Sequence, residues 1–273
     1  MANFKAKDQT ELYYEVTGSG PVLFCLPGLT RNCRDFDHVT PHLAGMRLIK
    51  LDYRGRGGSG WADPTSYSVP QEAADVLALM DHLGLEKAAM LGTSRGGLVA
   101  MFLAATAKDR LSGVALNDVG PVLEAEGLAV IKTYLGLPPR QKTYEEMARA
   151  RAATLTQFAD VPHERWLTEA RGQFEEANGA LNLRYDPKLR DAFLAGEALP
   201  TPDLWPLFEA LDGLPLALIR GANSDLLSAT TADEMARRRP DMIRTDVPGR
   251  GHVPFLDEPE ALAALKEWSQ KWM

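Results

Sequence analysis

The stretch Lys87-Ala88-Ala89-Met90-Leu91-Gly92-Thr93-Ser94-Arg95-Gly96-Gly97-Leu98-Val99-Ala100 decides the fold. Lys87 to Gly92 is a short apolar run that reads as a buried strand, and Gly96 opens a helix that is apolar almost all round, as a helix packed in the middle of a domain is. Between them Gly92-Thr93-Ser94-Arg95-Gly96 matches G-x-S-x-G in the strand–turn–helix setting that gives the pattern its meaning. Such a turn is so tight that side chains at positions 92 and 96 would collide, and it lifts the hydroxyl of Ser94 clear of the sheet. The N–H groups that begin the following helix point at the same spot and favour negative charge developing there. Ser94 is the candidate nucleophile.

Outward from this turn, short apolar runs alternate with amphipathic stretches, the mark of a mostly parallel sheet covered by helices. Two strands near Phe4 to Lys7 and Leu12 to Thr17 have no helix between them and are expected to pair antiparallel. Strands follow at Pro21 to Leu26 and Met46 to Leu51, with an early helix expected around His38 and His42. Ser68-Val69-Pro70-Gln71 caps a helix that Gly84 stops. Further strands are expected at Val114 to Leu116, Leu216 to Ile219 and Ile243 to Val247, and a last helix is opened by Asp257-Glu258-Pro259-Glu260. From Val122 to Asp212 the composition shifts to Arg, Glu, Ala and scattered aromatics without strand-like runs. The expected division is therefore an α/β core of residues 1–121 and 213–273, with an inserted helical module over 122–212.

A serine hydroxyl needs a base to take its proton. Of the five histidines, His38 and His42 fall on the early helix, His82 near a helix end and His163 in the insertion. His252 lies in Pro248-Gly249-Arg250-Gly251-His252, a glycine-rich loop directly after the last strand, and is the candidate base. An imidazole in that role needs a carboxylate to fix its tautomer. Asp225, after the strand at Leu216 to Ile219, gives the chain order Ser94, Asp225, His252 and is chosen on that order. Asp118, at the end of the preceding strand, is the rival, and both are also readable as loop caps.

With these residues placed, the chain resembles the α/β-hydrolase superfamily over nearly its whole length. Leu26-Pro27-Gly28-Leu29 is similar to the loop after the family's third strand, and Asp52-Tyr53-Arg54-Gly55-Arg56-Gly57-Gly58-Ser59 to the loop after its fourth. The resemblance implies an α/β-hydrolase fold with a cap at residues 122–212. It also implies an oxyanion hole made by the backbone N–H groups of Leu29 and Arg95. Many members carry His-Gly where this chain has Pro27-Gly28. Serine rather than aspartate at the turn points away from dehalogenation and epoxide opening, and towards esterases and enol-lactonases. Carbon–carbon bond hydrolases of ring-cleavage products and cofactor-free perhydrolases are the alternatives within the family, and a non-catalytic small-molecule receptor the alternative outside catalysis. Tyr134, Trp166, Phe174, Tyr185, Phe193, Trp205 and Phe208 are candidates for lining an acyl or aromatic pocket, against ordinary packing. Arg31 or Arg95 is a candidate partner for a substrate carboxylate, against an internally paired or solvated arginine.

Composition narrows the remaining classes. With 273 residues, 45% hydrophobic and 25% charged, the chain has the make-up of an ordinary globular protein. Thirty basic against 37 acidic residues leave a formal charge of −7, which argues against nucleic acid as the main partner. Arg237-Arg238-Arg239, followed by Pro240, reads as a solvated helix end. No apolar run is long enough for a membrane span and the N-terminus lacks a secretory pattern. Two cysteines, Cys25 and Cys33, have no metal-ligand spacing, and a cytoplasmic setting is expected. Gly55-Arg56-Gly57-Gly58-Ser59-Gly60 satisfies G-x-G-x-x-G, but no helix begins there, so no dinucleotide is expected. The expectation is a serine hydrolase acting on a small ester or lactone, with no cofactor and no metal. Its oligomeric state is open.

Overall fold

Alternation along the apolar strands builds the two layers. β1 (Ala2–Lys5) and β2 (Glu11–Thr17) pair antiparallel, with Phe4 opposite Leu12. β3 (Val22–Leu26) follows, with Leu23 and Cys25 on one face and Phe24 and Leu26 on the other. β4 (Arg47–Leu51) runs parallel to β3 and antiparallel to β2. Between β3 and β4 lie two single turns of 3-10 helix, Cys33–Phe36 and Thr40–His42, where a longer helix was expected. The first is capped by the Asn32 side chain and the second begins with Pro41 in its first turn, so neither propagates. The computed structural model describes residues 1–198 and 202–273; residues 199–201 of the expected insertion lie outside the described residues.

α1 (Val69–His82) starts where expected: the Ser68 hydroxyl accepts from the Gln71 N–H and Pro70 stands in the first turn. β5 (Ala88–Thr93) is buried along its whole length and runs into α2 (Arg95–Thr106), after which β6 (Leu111–Asn117) lies parallel to β5.

The segment between β6 and the next strand of the main sheet carries α3 (Ala125–Tyr134), α4 (Tyr144–Thr154) and α5 (His163–Gln173), then a hairpin of β7 (Phe174–Ala177) and β8 (Ala180–Leu183). α6 (Leu189–Glu197) and α7 (Trp205–Glu209) complete it. The hairpin departs from the all-helical expectation. Its strands are four residues each and carry Glu175, Glu176 and Asn182, too polar to read as strands, and Asn178-Gly179 makes the turn in the left-handed region. α7 packs on α2, and Phe208 and Leu211 are fully buried in the main core, so the α/β packing resumes before residue 213.

β9 (Leu216–Gly221) pairs with β6; α8 (Ala229–Arg238), β10 (Ile243–Val247) and α9 (Pro259–Ser269) close the chain. The eight-stranded order is β1-β2-β4-β3-β5-β6-β9-β10, parallel from β4 onwards. One face packs on α1, α2, α7 and α8, the other on α9 and the 3-10 turns. Arg239 is not solvated as expected: it is buried, donates to the carbonyls of Leu211 (2.7 Å) and Leu214 (2.9 Å), and so ties the end of α8 to the loop before β9. No described helix is long and apolar enough to cross a membrane.

Candidate active site

The parallel strands end together, and β5, β6, β9 and β10 release their loops at one edge, the usual ligand edge of an open α/β sheet. Ser94 sits at the end of β5 with φ of 51°, a left-handed backbone that a non-glycine residue holds only where its surroundings enforce it. A Cβ at Gly92 would stand 2.5 Å from the backbone of Gly96 and Gly97. One at Gly96 would lie far inside contact distance of the Leu26 carbonyl, so these glycines let α2 press against β3 and hold the turn. Arg95 is the first residue of α2, where backbone N–H groups have no intrahelical acceptor. Leu29 follows Gly28 in the loop after β3, and a Cβ on Gly28 would be 3.9 Å from that of Ser94.

His252 reaches Ser94: its Nε2 lies 2.9 Å from Ser94 Oγ. Its Nδ1 lies 2.7 Å from Asp118 Oδ2, and not Asp225, the residue chosen on chain order. Asp118 follows β6, the strand beside β5, and is fully buried. Its carboxylate also accepts from the Gly221 N–H (2.7 Å) and the Ser224 hydroxyl (2.6 Å). The loop after β9 therefore does not present Asp225 to the histidine. It turns inward with Ser224, which supports Asp118, while the Asp225 carbonyl accepts from Gly127 of α3. The rival carboxylate is the one the fold brings to His252.

The histidine loop is held from both sides. Asn117 donates to the Pro254 carbonyl (3.1 Å) and to Thr93 Oγ1 (3.1 Å). Arg250 donates to Glu258 (2.8 Å) and to the Ala159 carbonyl (2.8 Å), and the Ala159 N–H to the Gly249 carbonyl (2.9 Å). The other histidines are elsewhere. His82 stacks on Phe4, His163 pairs with Glu145, and His42 lines a cleft of about 450 Å³ along α9 that includes none of Ser94, Asp118 and His252.

A buried charge network joins the loop after β3 to the start of α2. Arg56, wholly enclosed, donates to the carbonyls of Leu29 (2.9 Å) and Arg54 (2.7 Å) and pairs with Glu72 at 2.9 Å. Glu72, also enclosed, pairs with Arg95 at 2.7 Å. Burial alone would raise the Glu72 carboxyl, but Arg95 and Arg56 outweigh it and hold it below the usual carboxylate range. Arg95 is thus internally paired and not free for a substrate. Arg31 is paired too, with Glu169 at 3.0 Å and Asp35 at 3.5 Å.

The glycine-rich stretch from Gly55 to Gly60 closes on itself, its Gly55 N–H on the Gly60 carbonyl and its Gly58 N–H on Asp52. Trp166, Tyr185 and Phe208 are packed residues, whereas Tyr134 keeps 47% of its surface exposed. Cys25 and Cys33 are free and buried; burial pushes the Cys25 thiol up to about 12. Among the described residues no group of three or more His, Cys, Asp or Glu is placed to hold a metal ion.

A hydroxyl on a strained strand-to-helix turn, an imidazole and a buried carboxylate in line are the parts of a serine hydrolase on an α/β sheet. Sequence comparison agrees with that class: the Alpha/beta hydrolase family profile matches residues 22–265. The 3-hydroxybutyrate-oligomer hydrolase of Cupriavidus necator is 39% identical over 90% of this chain and 87% of its own length. The 2-(acetamidomethylene)succinate hydrolase of Mesorhizobium japonicum is 26% identical over 89% and 85%. The crystal structure of an α/β hydrolase from Novosphingobium aromaticivorans superposes with a TM-score of 0.92 at 38% identity, covering 99% of this chain and 97% of that one. The chain belongs to the α/β-hydrolase family and is a hydrolase.

Proposed function

We propose that the protein hydrolyses a small carboxylic ester through a covalent acyl-enzyme, with Ser94 as nucleophile, His252 as base and Asp118 as the orienting carboxylate. The observation that carries this reading is the continuous line Asp118 Oδ2, His252 Nδ1, His252 Nε2, Ser94 Oγ at 2.7 and 2.9 Å. Ser94 Oγ attacks the ester carbon as its proton passes to His252 Nε2. The carbonyl oxygen, now negative, is held by the N–H groups of Leu29 and Arg95. Collapse of the tetrahedral intermediate breaks the C–O bond, and His252 gives its proton to the departing alcohol. Water then attacks the acyl carbon, its proton going to His252, and Ser94 leaves with that proton restored. The insertion between β6 and β9 acts as a cap over this edge.

The name of the Cupriavidus necator relative supports a short hydroxy-acid ester as the first substrate to try. Ser94→Ala is expected to abolish turnover of p-nitrophenyl butyrate and labelling by a fluorophosphonate while leaving the thermal unfolding profile cooperative. Wild-type protein that folds but neither turns over esters nor takes the label would leave a receptor on this fold as the better reading.

A further inference from the structure

Above the triad lies a group of charges that the ester chemistry does not use. Arg31 stands in the loop after β3, its stem 3.2 Å from a Cβ built on Gly28, which is itself beside Ser94. Glu169 of α5 pairs with Arg31 and accepts from the Gln173 amide (3.1 Å); the Gln173 carbonyl oxygen accepts from Arg151 of α4 at 2.5 Å. A hydrogen-bonded chain thus runs from the inserted helices to Arg31 in the loop after β3, the loop whose Gly28 stands beside Ser94. A narrow cavity lined by Arg31, Asp35 and Glu169 continues to Thr93 and Asn117, the neighbours of Ser94 and Asp118.

The cations in this group are not equivalent. Arg31 has two carboxylates. Arg151 has none within ion-pair distance among the described residues. Among the described residues its guanidinium hydrogen-bonds the neutral Gln173 and lies against the face of Phe174, 5.4 Å from the ring centre, while Glu169 and Asp35 act on it from beyond ion-pair distance. A guanidinium partly withdrawn from water is ordinarily paired, because its lost hydration is otherwise uncompensated. The side chain is half-buried, so one side remains open to a ligand.

We infer that Arg151, backed by Arg31, binds a free carboxylate on the substrate, so that the preferred ester is an acyloxy acid whose anionic end lies under α4 and α5 while its ester carbonyl lies at Ser94. This rests on the ester-hydrolase reading above and adds the charge of the substrate to it. Burial, and then the nearby Arg31, push Arg151 down to about 10, and a bound anion would relieve both effects. Asp35 does not supply a full compensating charge, because burial and Glu169 push its carboxyl upward against the pull of Arg31. Tyr134, on α3, lies within electrostatic reach of both arginines. A fork of N–H donors suits a carboxylate better than a point charge does.

The test compares 3-butyryloxybutanoate with its uncharged amide, which has the same shape at the ester. Wild type is expected to favour the acid by about tenfold or more in kcat/KM, the discrimination that a charge-assisted contact gives. Arg151→Gln is expected to bring that ratio close to one, mainly through KM for the acid, and Arg151→Lys to restore part of it. A wild-type ratio near one, or an unchanged ratio in Arg151→Gln, would overturn the inference. If Arg151→Gln does not fold, the wild-type ratio and its partial loss in Arg151→Lys decide the matter. Titration of Ser94→Ala with both compounds separates the two readings. Selective binding of the acid without turnover in wild type would sustain the carboxylate site and defeat the esterase. Equal turnover of both compounds would sustain the esterase and defeat the site.

Discussion

Three donors converge on the Asp118 carboxylate: Gly221 N–H, Ser224 Oγ–H and His252 Nδ1–H. Together they satisfy the buried carboxylate and hold the imidazole with its other nitrogen facing Ser94. Asp118→Asn would present an amide in place of one acceptor and favour the wrong tautomer. We expect kcat for p-nitrophenyl butyrate to fall by roughly 10³–10⁴-fold, the scale seen when a triad carboxylate is neutralised. Asp225→Asn should stay within about threefold of wild type in the same steady-state assay; a larger loss there than in Asp118→Asn would reverse the assignment. Ser94 and His252 were legible in the sequence because each is marked locally, by flanking glycines and by the strand before it. The carboxylate was not. Asp118 and Asp225 both follow a strand, β6 and β9, and those strands are neighbours. What separates them is the turn after β9, which brings Ser224 and not Asp225 in to Asp118, and no spacing rule announces that turn.

Among the elements, α1 does more than cover the sheet. Through Glu72 it binds Arg56, which holds the Leu29 carbonyl, and Arg95, which opens α2, so one buried carboxylate steadies both loops assigned to the oxyanion. Glu72→Gln would leave the enclosed Arg56 and the half-buried Arg95 without that counter-charge. We expect a stability loss of about 3 kcal/mol or more in urea unfolding at pH 7, with kcat falling together with it. The pH dependence follows from the direction of the shift. A carboxyl held below its unfolded value stabilises fully above the ordinary glutamate range, and this contribution is lost as pH falls through the folded value. The variant should therefore lose stability less steeply on acidification than wild type; equal acid slopes would count against the network. Elements with strong periodicity, such as α1 and β10, were readable to within a residue. The hairpin of β7 and β8 was not, because its cross-strand partners Glu175 and Asn182 lack apolar alternation. Nor was the bonding of Arg239, whose acceptors are carbonyls 25 and 28 residues away.

For the molecule as a whole, the question is whether the insertion only covers the site or also builds it. Its Gln157 to Ala159 stretch touches the loop after β9 and the histidine loop: Asn223 donates to the Gln157 carbonyl (3.0 Å), and Ala159 bonds Gly249 and Arg250. Phe158 packs on Phe255, with ring centres 5.6 Å apart, and on Trp166 at 5.7 Å, while Arg165 pairs with Asp257. Phe255 is three residues beyond His252, so this aromatic group packs on the histidine loop from the insertion side. A loose lid would alter substrate entry alone, and its disturbance would appear in KM. A brace would alter the placement of the imidazole, where small displacements cost rate. Phe158→Ala is therefore expected to lower kcat for a small neutral ester by several-fold with little change in KM. The accompanying stability loss should be about 2 kcal/mol, below the roughly 3–5 kcal/mol of a fully enclosed Phe→Ala change because this ring is half-buried. Steady-state kinetics and urea unfolding on the same preparation measure both. A variant that changes KM only would make the insertion a lid resting on a site that the α/β sheet completes without it.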